Sequence, residues 1–195
     1  MWKDKLEGYK IILASGSPRR KQFFEEIGLD FEIRLKSVDE IYPDSLKGCD
    51  IPDYLSKLKA SAFEGSLKNN EILITSDTVV WYQGKSLAKP ADKNEAVEML
   101  SALSNDWHDV ITSVTFTTNS LQKTVNHTTK VKFKALTIEE INFYVDKFEP
   151  LDKAGAYGIQ EWIGLIGIEE IQGSYTNVVG LPTQLVYKTL MGMVS

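Results

Sequence analysis

Three short stretches of the chain carry residue types that act on charged groups. The first, Ser15-Gly16-Ser17-Pro18-Arg19-Arg20, directly follows the apolar run Ile11-Ile12-Leu13-Ala14. A β-run that stops in a small-residue turn and passes into a helix puts two arginines in the first helical turn. The helix N-terminus already carries partial positive charge, so basic side chains there call for an anion. Backbone N–H groups, the dipole and two guanidiniums together describe a phosphate-binding corner, with Ser15, Arg19 and Arg20 as its side chains. The competing reading is a plain helix cap with its arginines in surface ion pairs. The glycine pattern is not a Walker-type loop, because the lysine arrangement is missing.

The second and third stretches are acidic. Val38-Asp39-Glu40 lies just beyond the second expected strand, and Asp77 interrupts the β-branched and apolar run Thr75-Ser76-Asp77-Thr78-Val79-Val80. A carboxylate inside such a strand costs desolvation unless it is paired, hydrogen-bonded or metal-bound. An edge strand facing water would avoid that cost, but Val79, Val80 and Trp81 favour burial. Glu40 and Asp77 together suit Mg²⁺, which takes one or two carboxylates plus substrate phosphate oxygens. Two adjacent carboxylates such as Asp39 and Glu40 also occur in ordinary solvated turns.

Lys59, on an expected helix, and Lys89, held extended by the following Pro90, are either solvated surface lysines or mobile point charges for phosphate. The segment Pro150–Gln160 is rich in small residues that let a ligand approach the backbone. Gln160 there offers an amide donor and acceptor suited to a base edge. The alternative is an ordinary loop around a core tyrosine. The polar turn Gly173–Asn177 is assigned no chemistry. His108 and His127 lack metal-ligand spacing and read as structural or surface groups. No Ser–His–Asp logic supports a covalent serine mechanism.

Alternating strands and helices must position these residues, which favours an α/β architecture. The pattern predicts a strand over Tyr9–Ala14. A helix follows, capped by Ser17 with Pro18 at its first position and ended by Gly28. A half-buried strand is expected at Phe31–Leu35, then a helix opening at Pro52 with Tyr54, Leu55, Leu58 and Ala62 inward. Ile72–Tyr82 reads as a strand turning at Gln83-Gly84. Asp92/Glu95 and Thr137/Glu140 have capping-box spacing. Val110–Thr118 and Leu121–Phe133 form a long hairpin, and a last helix starts at Pro182 burying Leu185, Val186 and Leu190. Long ribbons beside βα units imply a mixed sheet, of unspecified strand order.

The 195 residues suit one domain with ample core, and 43% hydrophobic with 25% charged content is ordinary for a globular protein. A net charge of −5 gives no general attraction to nucleic acid or anionic lipid, so a polyanion would need local positive charge. One cysteine, Cys49, excludes an intramolecular disulfide and a cysteine zinc site. The N-terminus lacks an apolar signal core and no run approaches membrane-spanning length. A cytoplasmic protein is expected, without membrane or nucleic-acid partners.

In family order, the motifs Ala14–Arg20, Val38-Asp39-Glu40, Lys59-Ala60, Asp77-Thr78, Lys89-Pro90, Glu149–Gln160 and Gly173–Pro182 resemble the Maf-like nucleoside triphosphate pyrophosphatases, over about Lys10 to Leu190. The resemblance implies a single domain over residues 1–195: a mixed twisted sheet with flanking helices, elongated and two-lobed around a central cleft. It implies Mg²⁺- or Mn²⁺-dependent cleavage between the α and β phosphates of a nucleoside triphosphate. The resemblance makes Asp77 the proton acceptor, a role that competes with the metal-ligand role read above for Asp77 and Glu40, because a metal-bound carboxylate is a weaker base. The sequence does not choose between them. Ser15, Arg19, Arg20, Lys59, Thr78, Lys89 and Gln160 become substrate-binding, with Arg19, Thr78 and Gln160 tied to substrate choice. The string Asp152–Gln160 is similar to the dTTP/UTP branch rather than the 7-methyl-GTP branch. A non-catalytic nucleotide-binding regulator of cell division is the other class the resemblance admits, and homodimers are expected. The chain departs from the family pattern at Ser76, Ala88, Asn105-Asp106-Trp107 and Lys134, and its spacing before Lys59 is two residues short.

Overall fold

The computed structural model describes residues 2–194. In chain order the elements are β1 (Lys10–Leu13), α1 (Pro18–Ile27), β2 (Phe31–Ile33), α2 (Asp50–Ser61), β3 (Glu71–Tyr82), β4 (Lys85–Leu87) and α3 (Lys93–Leu103). Then come β5 (Trp107–Thr117), β6 (Gln122–Phe133), α4 (Ile138–Phe148), α5 (Trp162–Gly167), β7 (Ile168–Gln172), α6 (Tyr175–Val179) and α7 (Thr183–Met193). The strands form a mixed sheet in the order β2-β1-β3-β5-β6-β7, with β4 on β3. Among the described residues no helix is long and apolar enough to cross a membrane.

The chain divides into two compact units. The first comprises residues up to Asp77, Thr112–His127 and the chain from Gly180 onward. Here β1 pairs in parallel with both β2 and β3, matching Ile11 to Phe31 and to Ile72. Three consecutive residues of β1, Ile11, Ile12 and Leu13, are buried, as expected of a parallel strand covered on both faces. The period of two sorts their partners. Ile11, Leu13, Ile72, Ile74, Val114 and Phe116 pack with Phe24 of α1 and Val186 and Leu190 of α7. Ile12 and Leu73 pack with Ala60 of α2 and with Phe63. Counting on from Leu73 by twos places Thr75 and then Asp77 on the α2 side. The Arg34 guanidinium forks onto the buried Glu71 carboxylate at 2.9 and 2.5 Å, pinning the chain after β2 to the start of β3.

Helix α1 has the expected caps, Ser17 with Pro18 following and Gly28 in the left-handed region. Helix α2 differs from expectation. It begins at Asp50, and its buried residues are Ile51, Pro52, Leu55, Ser56 and Ala60. Tyr54, expected inward, is exposed, because the stripe through 51/52, 55/56 and 60 leaves position 54 on the opposite side. At α7, Thr189 joins Val186 and Leu190 inside while Leu185 is only half-buried.

The second unit comprises Thr78–Ile111 and Thr128–Val179. Its core gathers Val80, Leu100 and Leu103, Val131 and Phe133, Ile141 and Tyr144, and Ile159. Gln83 and Gly84 both take positive φ in the tight turn between β3 and β4. Thr137 and Glu140 form the full capping box. At Asp92 only half of it forms: Asp92 accepts from the Glu95 N–H at 2.9 Å, but Glu95 reaches back to the Ala91 N–H at 2.6 Å. The 5-residue strand β7 was not expected; it exists by pairing antiparallel with β6, Val131 against Ile171, a long-range contact that local pattern does not encode. The Gly173–Asn177 turn is structural, with Asn177 Nδ2 donating to the Val110 carbonyl at 2.9 Å.

His108 is buried, stacks on Phe133, and shares a 2.7 Å hydrogen bond between Nε2 and the Tyr157 hydroxyl. Burial pushes its pKa down to about 4. The unfolded chain, with a histidine near 6.5, therefore binds the extra proton first, so stability falls as pH drops from about 6.5 to about 4 and no further from this group. Urea unfolding of wild type and His108→Gln from pH 7.5 to 4 checks this. The wild type should lose about 3 kcal/mol more than the variant across that window, and equal slopes would exclude His108 as the cause.

Candidate active site

The corner between β1 and α1 is built as its residues suggest. Ser17 caps α1 by accepting the Arg20 N–H, and Ser15 Oγ accepts the Ser17 N–H at 3.2 Å. Arg20 points back under the turn. Its Nε donates to the Gly180 carbonyl at 2.9 Å, and its Nη1 donates to the Ser76 carbonyl at 2.8 Å and to Ser15 Oγ at 3.4 Å. One guanidinium thus ties the end of β1, strand β3 and the approach to α7. Desolvation lowers its pKa, opposed chiefly by the Asp77 charge; Arg19 lowers it further and Glu40 raises it. Arg19, on the first turn of α1, is half-buried.

Asp77 sits on the α2 side of β3 and is buried. Its Oδ1 accepts from Lys59 Nζ at 2.6 Å, and the same ammonium lies 3.0 Å from Glu40 Oε1. Lys59 comes from the last turn of α2, and Glu40 from the irregular stretch after β2. Two carboxylates far apart in sequence therefore share one cation. Burial raises the Asp77 pKa, and the Lys59 charge and hydrogen bond, then Arg20, pull it back. Arg19, Arg20 and Lys59 outnumber Glu40 and Asp77 by one charge, so this corner is locally positive although the chain carries −5.

The structure therefore brings together Ser15, Arg20, Lys59, Glu40 and Asp77, with Arg19 in their electrostatic field. Thr78, Lys89 and Gln160 belong to the second unit. Thr78 is half-buried on β3, Lys89 is exposed after β4, and Gln160 is exposed. Within that unit the Gly155 N–H donates to the Ala88 carbonyl at 3.3 Å, docking the Gln160 segment beside the Lys89-Pro90 bend. Gly155 has φ +68°, and a Cβ there would lie 2.9 Å from Val80 Cγ2, so the backbone approaches the strand too closely for a side chain.

Among the described residues no group of three or more His, Cys, Asp or Glu side chains is placed to hold a metal. A divalent ion would rest on Glu40 and Asp77 plus oxygens from a ligand. These two fit that role, since they already converge on the Lys59 ammonium.

Sequence reasoning missed two polar clusters. In the second unit, Lys153 is nine-tenths buried, with Nζ 2.6 Å from Asp152 and 3.2 Å from Glu161. Glu161 accepts from the Tyr144 hydroxyl, which accepts the Gly158 N–H at 3.0 Å, bracing the backbone two residues before Gln160. In the first unit, hydroxyls line the strands under α2; their one sequence signal is the alternation Ser113, Thr115, Thr117 inside a strand.

A family model described as Maf-like protein matches residues 10–193. The dTTP/UTP pyrophosphatase of Flavobacterium johnsoniae is 56% identical over 194 residues, covering 100% of both chains. That of Flavobacterium psychrophilum is 57% identical over 191 residues, covering 98% of each. One from Bacteroides fragilis is 49% identical over 186 residues, 95% of this chain and 96% of its own. Among solved structures, the Staphylococcus aureus Ham1 protein is similar in fold, with a TM-score of 0.57 at 16% identity, covering 94% of this chain and 99% of that one. With the motif residues gathered as described and the match running nearly end to end, the chain belongs to the Maf-like family.

Proposed function

We propose that this protein hydrolyses dTTP and UTP, together with modified pyrimidine nucleotides, to the nucleoside monophosphate and pyrophosphate. The observation that carries the reading is the convergence of Asp77 and Glu40 on the Lys59 ammonium, beside Arg20. Relatives of 49–57% identity over nearly the full chain, named dTTP/UTP pyrophosphatases, support the substrate assignment. The chain's net negative charge supports a free nucleotide rather than nucleic acid as the ligand, and a cytoplasmic homodimer goes with this reading.

In the reaction a water oxygen attacks the α-phosphorus and the bond to the oxygen bridging Pα and Pβ breaks. That oxygen leaves on pyrophosphate with the bonding electrons. Asp77 accepts the proton of the water; burial makes it a stronger base than an exposed carboxylate, and the Lys59 ammonium on Oδ1 offsets part of that rise. Arg19, Arg20, Lys59 and Lys89 stabilise negative charge as it moves onto the leaving group. Glu40 and Asp77 would hold Mg²⁺ or Mn²⁺, which when bound shields the phosphate oxygens. Thr78 and Gln160 read the base, Gln160 from a segment braced by Tyr144, Glu161 and Lys153.

The deciding experiment measures product release from dTTP, UTP, CTP, GTP and 7-methyl-GTP with Mg²⁺, Mn²⁺ or EDTA. dTTP and UTP should be cleaved fastest, to pyrophosphate, only with metal. Release of single phosphates, or preference for 7-methyl-GTP, would refute the assignment. Asp77→Asn should lower kcat at least about 100-fold while unfolding as cooperatively as wild type. Turnover within a few-fold of wild type would remove Asp77 from its role. Gln160→Ala should narrow the preference for dTTP over GTP by about tenfold, the worth of one hydrogen bond. Inhibition by added pyrophosphate should stay unchanged; an unaltered nucleotide ranking contradicts the base-reading role.

A further inference from the structure

Beside the apolar Ile12 and Leu73, the sheet face beneath α2 carries a group of polar side chains where a helix usually packs on apolar ones. Ser56, Thr75, Ser113 and Thr115 are all fully buried there. Buried hydroxyls stabilise less than valine or alanine unless their hydrogen bonds are satisfied, and these are. Their polarity follows from counting protons, since each hydroxyl has one to give. Ser56 Oγ donates to the Asp53 carbonyl at 3.1 Å, so in its 2.8 Å contact with Thr115 Oγ1 it accepts. Thr115, having given its proton to Ser56, accepts from Thr124 across 2.8 Å. A one-way chain therefore runs from β6 through β5 into α2. Thr75 Oγ1 donates separately to the Ser56 carbonyl at 2.7 Å. The first turn of α2 is clamped as well: the Asp53 carboxylate accepts from Ser113 Oγ at 2.5 Å and from Asn126 Nδ2 at 3.1 Å to each oxygen.

These bonds lie one step before the active-site pair. Asp77 is two residues beyond Thr75 on the same face of β3, and Lys59 is three residues beyond Ser56 on the same face of α2. The steps are about 6.6 Å along the strand and about 4.5 Å along the helix, so the Thr75–Ser56 bond sets the register from which Lys59 reaches Asp77.

We propose that this hydroxyl chain positions the site: Ser56, Thr75 and Thr115 are positioning residues that lock α2 against sliding or rolling and so hold Lys59 on Asp77 and Glu40. The proposal rests on the hydrolase reading for its kinetic consequence, not for its geometry. Apolar packing is non-directional and would permit small shifts of the helix. Directional bonds do not, and misplacement of catalytic groups by about 1 Å can cost about 100-fold in rate.

Thr115→Val cuts the chain at its centre with little change of shape, and Thr115→Ser restores the hydroxyl. The valine variant should lose about tenfold or more in kcat/KM for dTTP, and the serine variant no more than about twofold. In a Lys59→Met background, Thr115→Val should cost less than about twofold, because nothing remains to be positioned. Crystal structures of the metal-free variants give a readout independent of turnover: Lys59 Nζ should leave Asp77 in Thr115→Val and stay on it in Thr115→Ser. Multiplying losses in the double variant, or an unmoved Lys59–Asp77 pair in Thr115→Val, overturn the proposal. Should the valine variant not fold, Ser56→Ala breaks the same link without adding a methyl group and is judged by the same criteria. A wild-type protein inactive on dTTP and UTP defeats the hydrolase reading, while the crystallographic comparison still decides the positioning claim.

Discussion

A carboxylate buried in the middle of a strand is the constraint on which this structure turns. Asp77 cannot sit uncompensated among Val79, Val80 and the strand's other apolar residues without a large desolvation cost. The ammonium of Lys59 answers it, and Glu40 shares that ammonium from the solvent side. Neither partner is near in sequence. The end of α2 and the stretch after β2 must both be delivered to one point on β3, and much of the first unit consists of what delivers them.

The sheet in that unit divides the work between its faces. Toward α1 and α7 it is apolar, with Ile11, Leu13, Ile72, Ile74, Val114 and Phe116 closing a hydrophobic core. Toward α2 the same strands alternate to Thr75, Asp77, Ser113 and Thr115. Burial of the first set contributes stability without fixing orientation; the hydrogen bonds of the second contribute orientation with modest stability. Arg20 joins the two faces through the backbone. It sits at the start of α1 yet bonds the carbonyl of Ser76, the residue before Asp77. A cation read from the sequence as a candidate ligand for phosphate is thus also a brace for the strand that carries Asp77.

In the second unit, the segment ending at Gln160 is held by close backbone packing and by ions. Gly155 lies against Val80 where no side chain fits, and Tyr144 takes the Gly158 N–H while donating to Glu161. Lys153 neutralises Glu161 inside the fold. A loop braced this way presents an exposed glutamine from a fixed backbone, which suits recognition better than a mobile tip.

What the sequence determined by itself was local. Small-residue turns, caps and period-two alternation reveal the Ser17 cap, the Gly28 stop, the long β3 ending at Gln83-Gly84, and a carboxylate that burial would make costly at Asp77. Their causes lie within a few residues of each other, so they can be read along the chain. The same rules misplace Tyr54, because which stripe of α2 turns inward depends on the polar sheet it meets. They leave β7 unseen, because 5 residues become a strand only against β6. The tertiary structure alone decided that Lys59, Glu40 and Asp77 share one charge, that Arg20 reaches Ser76, and that the Thr75 and Thr115 hydroxyls from two strands close on Ser56. Those contacts join residues from 18 to 59 positions apart. Such pairings depend on chain closure and sheet order, which hydropathy and spacing do not encode.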